Sequence, residues 1–242
     1  MSHVVVLSSG FLAFARHMGV IAALEDRGVV PTAIVGVSSG AVVGALWASG
    51  LNVAEMRAFL GDAPPYKSLR ARWPWASPGP GLVSLDGLAA RLREVLPARF
   101  DTLPRPFGAG VVRRTDGACR LIQEGDLVEA VTASCAIPYL FGPRTVNGEP
   151  CVDGGAKDRI FLDAALEAFP AECSYVHVVG ASAVGRQRRS GVVDQQLERA
   201  ATRTRLVVIR TPRSEASFAS LGDVDAQVEA ARRLTLQALD AA

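Results

Sequence analysis

Apolar residues occur along the chain in short uninterrupted runs that alternate with stretches of helical spacing. The runs are rich in Val and Ile, which is typical of strands that are covered on both faces. Residues 12–28 carry apolar side chains at helical spacing up to Gly28, and residues 39–50 do the same up to Gly50. This alternation predicts the α/β class, with a mainly parallel sheet covered by helices. The strands are predicted at His3–Leu7, 32–37, 174–181 and 205–210.

The middle and the end of the chain combine turn signals with further elements. Residues 107–125 are typical of a β-hairpin with Asp116 and Gly117 at its turn. A second tight turn falls within residues 145–155, and Asp86 is predicted as a helix N-cap. Further helices are predicted at 52–60, 85–96, 126–136 and 223–242.

Residues 62–84 form a long connection that holds five prolines and two tryptophans. We expect a lid or binding loop here, because long connections in compact domains often carry function. The aromatic and cationic side chains of this segment suit a patch that contacts a lipid surface. The alternative is a surface connection packed against the body of the protein. The patch consists of Tyr66, Lys67, Arg70, Arg72, Trp73 and Trp75.

A second basic segment, residues 185–189 with the sequence GRQRR, follows a predicted strand. Clustered guanidinium groups bind phosphate well, so an anionic head group or a coenzyme A phosphate is one candidate ligand. A solvated loop is the other interpretation.

Composition limits the classes of partner and compartment. The net charge of +2 gives no indication of nucleic acid binding, and the hydrophobic content of 49% supports a sizeable core. The cysteines lack the spacing of a metal or redox pair, so we interpret them as free thiols in a reducing compartment. We expect a cytoplasmic protein, because the sequence shows neither a signal peptide pattern nor an apolar run of about 18 residues. The cysteines are Cys119, Cys135, Cys151 and Cys173.

The stretch Gly36-Val37-Ser38-Ser39-Gly40 matches the G-x-S-x-G pattern of a nucleophile elbow. In such an elbow the serine sits in a strained turn between a strand and a helix, so its neighbours two positions away must be small. The N-terminus of the following helix favours a developing oxyanion. Because an apolar strand precedes the motif and a helix of small residues follows it, Ser38 is a candidate nucleophile. An ordinary glycine-rich turn is the alternative.

A nucleophilic serine needs a base, and both histidine and carboxylate candidates are present. Ser38 follows only the second strand, whereas an α/β-hydrolase places its serine later and its histidine last, so a histidine base fits poorly. Asp153 ends a predicted strand and precedes Gly154 and Gly155. A carboxylate kept dry by burial is basic enough to take the serine proton directly. An Asx-type turn is the alternative role for Asp153. The histidines are His3, His17 and His177.

Three blocks of the sequence together resemble the patatin-like phospholipase family over about residues 4–181. Residues 4–28 are similar to the family's glycine-rich oxyanion loop and first helix, and residues 34–46 are similar to its elbow. Residues 126–158 contain the run ASCAIP and the later VDGG, which resemble the family's approach to its catalytic aspartate. This third block is the most specific, and it follows an early G-x-S-x-G in the order that the family shows.

The resemblance implies a three-layer α/β/α sandwich, one patatin-like domain over residues 1–242, and a catalytic dyad of Ser38 and Asp153. It implies a hydrolase that cleaves acyl esters of phospholipids, lysophospholipids or neutral lipids through an acyl-enzyme, without a metal or other cofactor. A lipid or other acyl ester is then the partner, with peripheral membrane contact and oligomeric state left open. Acyl transfer or thioester hydrolysis on the same dyad, and a catalytically impaired acyl-binding protein, remain alternatives.

The loop after the first strand departs from the family pattern of three glycines, one further residue, a cation and another glycine. We expect the backbone N–H groups of Ser9, Gly10 and Phe11 to form the oxyanion hole, since any non-proline residue supplies one. Phe11 does not easily adopt a positive φ, and the loop's apolar bulk is expected to narrow acyl-chain selection. Arg16, one turn later, is the candidate substitute for the missing cation. The corresponding positions hold Ser9, Gly10, Phe11, Ala13 and Phe14.

Overall fold

The computed structural model describes residues 1–62, 70–71, 83–180, 183–217 and 220–242, and the side chains of residues 62, 70–71 and 183–190 lie outside this description. Most of the predicted lid at 62–84, and the side chains of its aromatic and cationic patch, therefore fall outside what is described. The strands are β1 (His3–Leu7), β2 (Ala33–Val37), β3 (Arg70–Ala71), β4 (Val83–Ser84), β5 (Phe107–Arg113), β6 (Cys119–Ile122), β7 (Arg144–Val146), β8 (Glu149–Asp153), β9 (Cys173–Val179) and β10 (Arg205–Thr211). The helices are α1 (Phe14–Asp26), α2 (Ser39–Ala48), α3 (Val53–Asp62), α4 (Asp86–Val95), α5 (Leu127–Ser134), α6 (Leu162–Ala168), α7 (Ala183–Ala200) and α8 (Val224–Asp240).

A central sheet organises these elements. Its strands lie in the order β10-β9-β1-β2-β5-β8-β7, and β6 also pairs with β5. The strands from β10 to β5 are parallel to their neighbours, whereas β6, β7 and β8 pair antiparallel. Strands β7 and β8 are joined by Asn147 and Gly148, whose positive φ angles of 49° and 81° suit a two-residue hairpin turn. The sheet therefore has a parallel centre and an antiparallel edge.

Helices cover both faces of the sheet because successive strand side chains point to opposite sides. On β1, Val5 and Leu7 belong to an apolar cluster that includes buried residues of α1, α2, α3, α4, α5 and α8. The alternate residues Val4 and Val6 belong to a second cluster with α6 and α7. This arrangement confirms the predicted three-layer α/β/α sandwich with a mainly parallel central sheet.

The predicted elements agree with the described structure except for the short strands β3 and β4, the region after Asp153 and one helix start. Neither α6 nor α7 was predicted, and the interpretation of residues 185–189 as a loop is wrong because they lie within α7. The first half of α7 is rich in Arg, Gln and Gly, and the helical spacing of apolar residues is clear only in its second half, at Val193 and Leu197. Asp86 is the first residue of α4, and the N-cap position belongs to Leu85.

A substitution at Gly36 can measure how tightly the turn between β2 and α2 is packed. A Cβ at Gly36 would lie 2.3 Å from the carbonyl oxygen of Gly40, so Gly36→Ala should lower the free energy of unfolding by about 2–3 kcal/mol through overpacking. Gly191→Ala is the matched control, because Gly191 lies in α7 with open space around its Cβ position. That control should stabilise the protein by up to about 1 kcal/mol through helix propensity. Urea unfolding measures both, and equal effects of the two substitutions would contradict the packing argument.

Candidate active site

Strands β2 and β8 end against the same segment of β5. Strand β2 runs parallel to β5 and pairs its last residue, Val37, with Gly110. Strand β8 runs antiparallel and pairs its last residue, Asp153, with Val111. Strand β6 occupies the other edge of β5, since the residues of β5 that pair with β6 also pair with β2 or β8. The carboxyl ends of β2 and β8 therefore face each other on one edge, and Ser38 and Asp153 stand at this junction.

Ser38 occupies a strained turn between β2 and α2. Its backbone has φ 56° and ψ −121°, a combination that costs a non-glycine residue about 1–3 kcal/mol. Its carbonyl accepts the N–H groups of Ala41 and Val42, so α2 starts at once. A Cβ at Gly40 would lie 2.2 Å from the carbonyl oxygen of Leu7, which packs the first turn of α2 against the end of β1. These features have the geometry that the G-x-S-x-G pattern predicts.

The C-terminus of α5 holds the elbow in place. The Oγ of Ser134 donates to the Gly110 carbonyl at 2.7 Å and accepts the N–H of Ser38 at 2.9 Å. The adjacent Cys135 thiol donates to the Ser38 carbonyl at 3.3 Å. Burial raises the pKa of Cys135 well above its usual value, and the charge of Asp153 raises this pKa further. The thiol therefore stays protonated and does not compete as a nucleophile.

The side chain of Asp153 is buried and its position is fixed by the backbone. Its N–H donates to the Ala136 carbonyl at 3.0 Å, and its Oδ1 accepts the N–H of Gly155 at 2.7 Å. The second bond is the Asx-type contact considered from the sequence, and it orients the carboxylate rather than excluding a chemical role. A Cβ at Gly155 would lie 2.2 Å from Ser9 Oγ, so this turn packs directly against the loop after β1.

The β1–α1 loop, residues 8–13, is held through its carbonyl groups. In a trans peptide the carbonyl and the following N–H point in opposite directions, so a fixed carbonyl also fixes the next N–H. The N–H groups of Gly10 and Phe11 are therefore directed away from the side chains of Arg159 and Ser39. The Ser9 carbonyl accepts a hydrogen bond from Arg159 at 3.0 Å, the Gly10 carbonyl accepts one from Ser39 at 2.6 Å, and the Leu12 carbonyl accepts one from Ser214 at 3.0 Å.

Two details of this loop differ from the sequence-based expectation. The N–H of Ser9, which the sequence predicted as an oxyanion donor, instead donates to the Arg159 carbonyl at 2.7 Å and is therefore already engaged within the protein. The positive φ falls on Leu12, at 48°, and Phe11 has no such angle. Gly10 also lacks a positive φ, and its need for glycine comes from close packing, since a Cβ would lie 3.0 Å from Val179.

Arg159, and not Arg16, supplies the cation that braces the loop. Arg16 points elsewhere, because its guanidinium donates to the Gln227 carbonyl at 3.3 Å and pairs with Glu215 at 3.4 Å. Arg159 contacts the Ser9 carbonyl and reaches a strand-end carbonyl of β9 as well. The expectation that Arg16 substitutes for the missing cation is therefore wrong.

His17 and His177 lie in a buried hydrogen-bond chain that the sequence analysis missed. The Nε2 of His177 lies 2.8 Å from Thr211 Oγ1, and the Nδ1 atoms of the two rings are 2.8 Å apart. The Nε2 of His17 lies 3.2 Å from Ser39 Oγ. In the described part of the chain neither ring has a hydrogen bond to Ser38, so neither histidine acts as its base in this geometry.

Both rings are neutral at neutral pH. Burial lowers the pKa of His17 to about 3, an effect that the Ser8 carbonyl partly opposes. Burial also lowers the pKa of His177 well below its usual value, and repulsion from His17 and Arg16 lowers it further. The two imidazoles therefore act as neutral hydrogen-bonding groups.

An apolar cavity of about 220 Å³ adjoins the β1–α1 loop. Leu12 and Phe14 form part of its wall, and residues of α1, α3 and α8 form most of the rest. The side chain of Phe11 is instead 47% exposed. Of the bulky residues around the loop, two thus border the cavity and one faces the surface.

Two kinds of feature are absent from the described residues. Within the described ranges, no group of three or more His, Cys, Asp or Glu side chains is arranged to hold a metal ion. Nor does any helix there combine the length and apolar character that a membrane crossing needs.

The strain at Ser38 can be measured with two substitutions. Ser38→Gly and Ser38→Ala both remove the hydroxyl, but only glycine tolerates the observed φ and ψ without strain. We expect the glycine variant to be more stable than the alanine variant by about 1 kcal/mol, after the entropy cost of glycine in the unfolded chain. Urea unfolding gives the comparison. An alanine variant as stable as the glycine variant would show that the elbow stores no strain.

The buried histidines predict a dependence of stability on pH. In the unfolded chain both rings titrate near pH 6.5, so below that pH the unfolded state binds more protons than the native state. The free energy of unfolding should therefore fall between pH 7 and pH 5, with a slope that approaches about 2.7 kcal/mol per pH unit for two groups. Urea unfolding across this range tests the prediction. His177→Gln should reduce the slope, and a flat profile in the unsubstituted protein would contradict the assignment of neutral rings.

Comparison with known proteins identifies the family. The model described as patatin-like phospholipase matches residues 5–166, more than half of the chain. An uncharacterized NTE family protein of Mycobacterium bovis and two of Mycobacterium tuberculosis are each 32% identical over 155 residues, covering 64% of this chain and 42% of each relative. The chain thus matches less than half the length of these relatives.

Solved structures support the same fold. VipD from Legionella pneumophila has a TM-score of 0.59 and 15% identity, covering 99% of this chain and 67% of that chain. The complex of full-length SpcU and ExoU from the type III secretion system of Pseudomonas aeruginosa contains a chain with a TM-score of 0.50 and 12% identity, covering 100% of this chain and 52% of that chain. At these identities the likeness concerns the fold. Taken with the family match, it leads to one conclusion: the chain belongs to the patatin-like phospholipase family.

Proposed function

We propose that this protein is a serine acyl hydrolase that cleaves acyl esters of phospholipids, lysophospholipids or neutral lipids, with Ser38 as nucleophile and Asp153 as base. One observation carries the proposal. A strained serine that follows β2 and a buried carboxylate at the last residue of β8 stand where these two strand ends face each other on β5. Membership of the patatin-like phospholipase family supports a lipid hydrolase in general.

The proposed reaction proceeds through an acyl-enzyme. Ser38 Oγ attacks the ester carbonyl carbon while the Asp153 carboxylate accepts its proton. The tetrahedral intermediate then expels the alcohol, which takes that proton from Asp153. A water molecule attacks the acyl-enzyme, gives its proton to Asp153, and the collapse of the second intermediate releases the fatty acid and returns the proton to Ser38. These steps balance without a metal or other cofactor.

The β1–α1 loop is the proposed source of oxyanion donors, namely the N–H groups of Gly10 and Phe11. Such groups stabilise the intermediate only if their direction is set before the reaction. The bonds from Arg159 to Ser9 and from Ser39 to Gly10 supply this preorganisation without a run of glycines. They favour an active hydrolase over the impaired acyl-binding protein that the loop's composition left open.

The wider proposal concerns substrate and location. The apolar cavity beside Leu12 suits the hydrocarbon chain of an acyl group. The four free cysteines, which range from exposed Cys119 to buried Cys151 and Cys173, support a cytoplasmic compartment, from which the protein would reach lipid surfaces peripherally. We assign residues 1–242 to one patatin-like domain.

Labelling with a fluorophosphonate probe tests the nucleophile. The phosphorus forms a covalent bond to an activated serine oxygen, so we expect a single adduct on Ser38, located by peptide mass spectrometry. Ser38→Ala should abolish labelling, and Asp153→Asn should slow it by about 10²–10⁴-fold, the usual contribution of a general base. Ser174→Ala is the matched control, since it removes a buried hydroxyl of β9 whose hydrogen-bond partner is Thr204.

Two outcomes would contradict the dyad. One is a folded protein whose Ser38 stays unlabelled, and the other is labelling that Asp153→Asn leaves unchanged. Hydrolysis of p-nitrophenyl esters of increasing chain length, repeated with a competing alcohol, then separates hydrolysis from acyl transfer by the ratio of acid to new ester.

A further inference from the structure

His17 and His177 have no part in a Ser–Asp mechanism, although they lie next to the elbow. We propose that Thr211, His177, His17 and Ser39 form a directional hydrogen-bond chain that positions the Gly10 carbonyl and, through it, the Phe11 N–H, one of the two proposed oxyanion donors. The catalytic part of this inference rests on the proposed function. The four residues come from β10, β9, α1 and α2.

The direction of the chain follows from its last bond. The Gly10 carbonyl can only accept, so the single hydroxyl proton of Ser39 goes to Gly10, at 2.6 Å. Ser39 Oγ must then accept from His17, which places the proton of that neutral ring on Nε2. The Nδ1 of His17 is consequently an acceptor.

The remaining two bonds are determined in the same way. Because His17 Nδ1 accepts, the bond of 2.8 Å between the two rings requires the proton of His177 on Nδ1. The Nε2 of His177 is then an acceptor for the hydroxyl of Thr211 at 2.8 Å. Every proton in the chain thus points from β10 toward the β1–α1 loop. A neutral imidazole offers one donor and one acceptor, so this single pattern satisfies all four bonds.

The direction also excludes a competing role for Ser39. A serine beside a histidine resembles a nucleophile and its base, yet here the ring donates to the hydroxyl instead of accepting from it. Ser39 is therefore a positioning residue and Ser38 the nucleophile.

The chain ends on the peptide that carries a proposed oxyanion donor. The Gly10 carbonyl receives the Ser39 hydroxyl and, more weakly, the N–H of Ala13 at 3.3 Å. The N–H of Phe11 belongs to the same peptide plane and points the opposite way. Rotation of that plane would turn the donor away from a developing oxyanion. A buried chain of four polar groups resists this rotation, because any break leaves a buried donor or acceptor unsatisfied.

The tautomers can be measured on the unsubstituted protein, whether or not it is active. Nitrogen-15 NMR of labelled histidine distinguishes Nδ1–H from Nε2–H rings. At pH 7 we expect one buried ring protonated on Nε2, assigned to His17, and one protonated on Nδ1, assigned to His177. The opposite pair of tautomers, or a charged ring at either position, would overturn the directional chain.

Kinetics then test the positioning role. Ser39→Ala should lower kcat for a short p-nitrophenyl ester by at least about tenfold, a fraction of the loss for removing one oxyanion donor, with KM changed less than about threefold. Ser39→Thr keeps the hydroxyl and should recover most of kcat. Ser174→Ala is the matched control for the loss of a buried serine hydroxyl and should leave kcat unchanged.

Thr211→Val provides a second test of the positioning role if Ser39→Ala folds poorly. It removes the far end of the chain, and we expect a smaller loss of kcat with unchanged KM, restored by Thr211→Ser. Full activity in folded Ser39→Ala, or in Thr211→Val when Ser39→Ala does not fold, would overturn the positioning role. Inactivity of the unsubstituted protein, together with the expected tautomers, would instead reject the proposed hydrolase and leave the hydrogen-bond chain intact.

Discussion

The placement of Ser38 near Asp153 depends on how two strands pair with β5. A parallel strand and an antiparallel strand share one edge of β5 and end there at adjacent residues, Gly110 and Val111. Because strand pairing fixes positions to within a residue, Ser38 and Asp153 are brought to the same place although 115 residues separate them in sequence. A slip of either strand by one residue would turn its last side chains to the other face of the sheet.

The site combines a strained centre with rigid support. Ser38 has a backbone conformation that favours glycine, and the bonds from Ser134 and Cys135 hold the elbow against β5. The β1–α1 loop is also held by side-chain hydrogen bonds, which fix its carbonyls and so the peptide planes that a run of glycines would leave free to turn.

The sequence predicted those parts of the molecule whose signal is local. The α/β class and the elbow around Ser38 depend on short patterns of apolar and small residues, whereas the three-layer sandwich was implied by the family resemblance. Helix α7 was not predicted, because the sequence of its first half is polar and contains glycine, which does not resemble an amphipathic helix. Arg159 was missed, and Arg16 chosen wrongly, because nearness in sequence was taken for nearness in space. The histidine chain joins residues up to 194 positions apart, from His17 to Thr211, and only the sheet order brings them together.

The central claim is that Ser38 and Asp153 act together beneath the β1–α1 loop. A crystal structure of the protein after reaction with a phosphonate ester tests it most directly, because the phosphoryl oxygen stands in for the oxyanion of the tetrahedral intermediate. We expect that oxygen within about 3.1 Å of the Gly10 or Phe11 N–H, and an Asp153 carboxylate oxygen within about 3.2 Å of the Ser38 oxygen or of the oxygen bound in the leaving-group position. A phosphonate on Ser38 whose oxygen faces solvent, with Asp153 beyond hydrogen-bond reach, would contradict it.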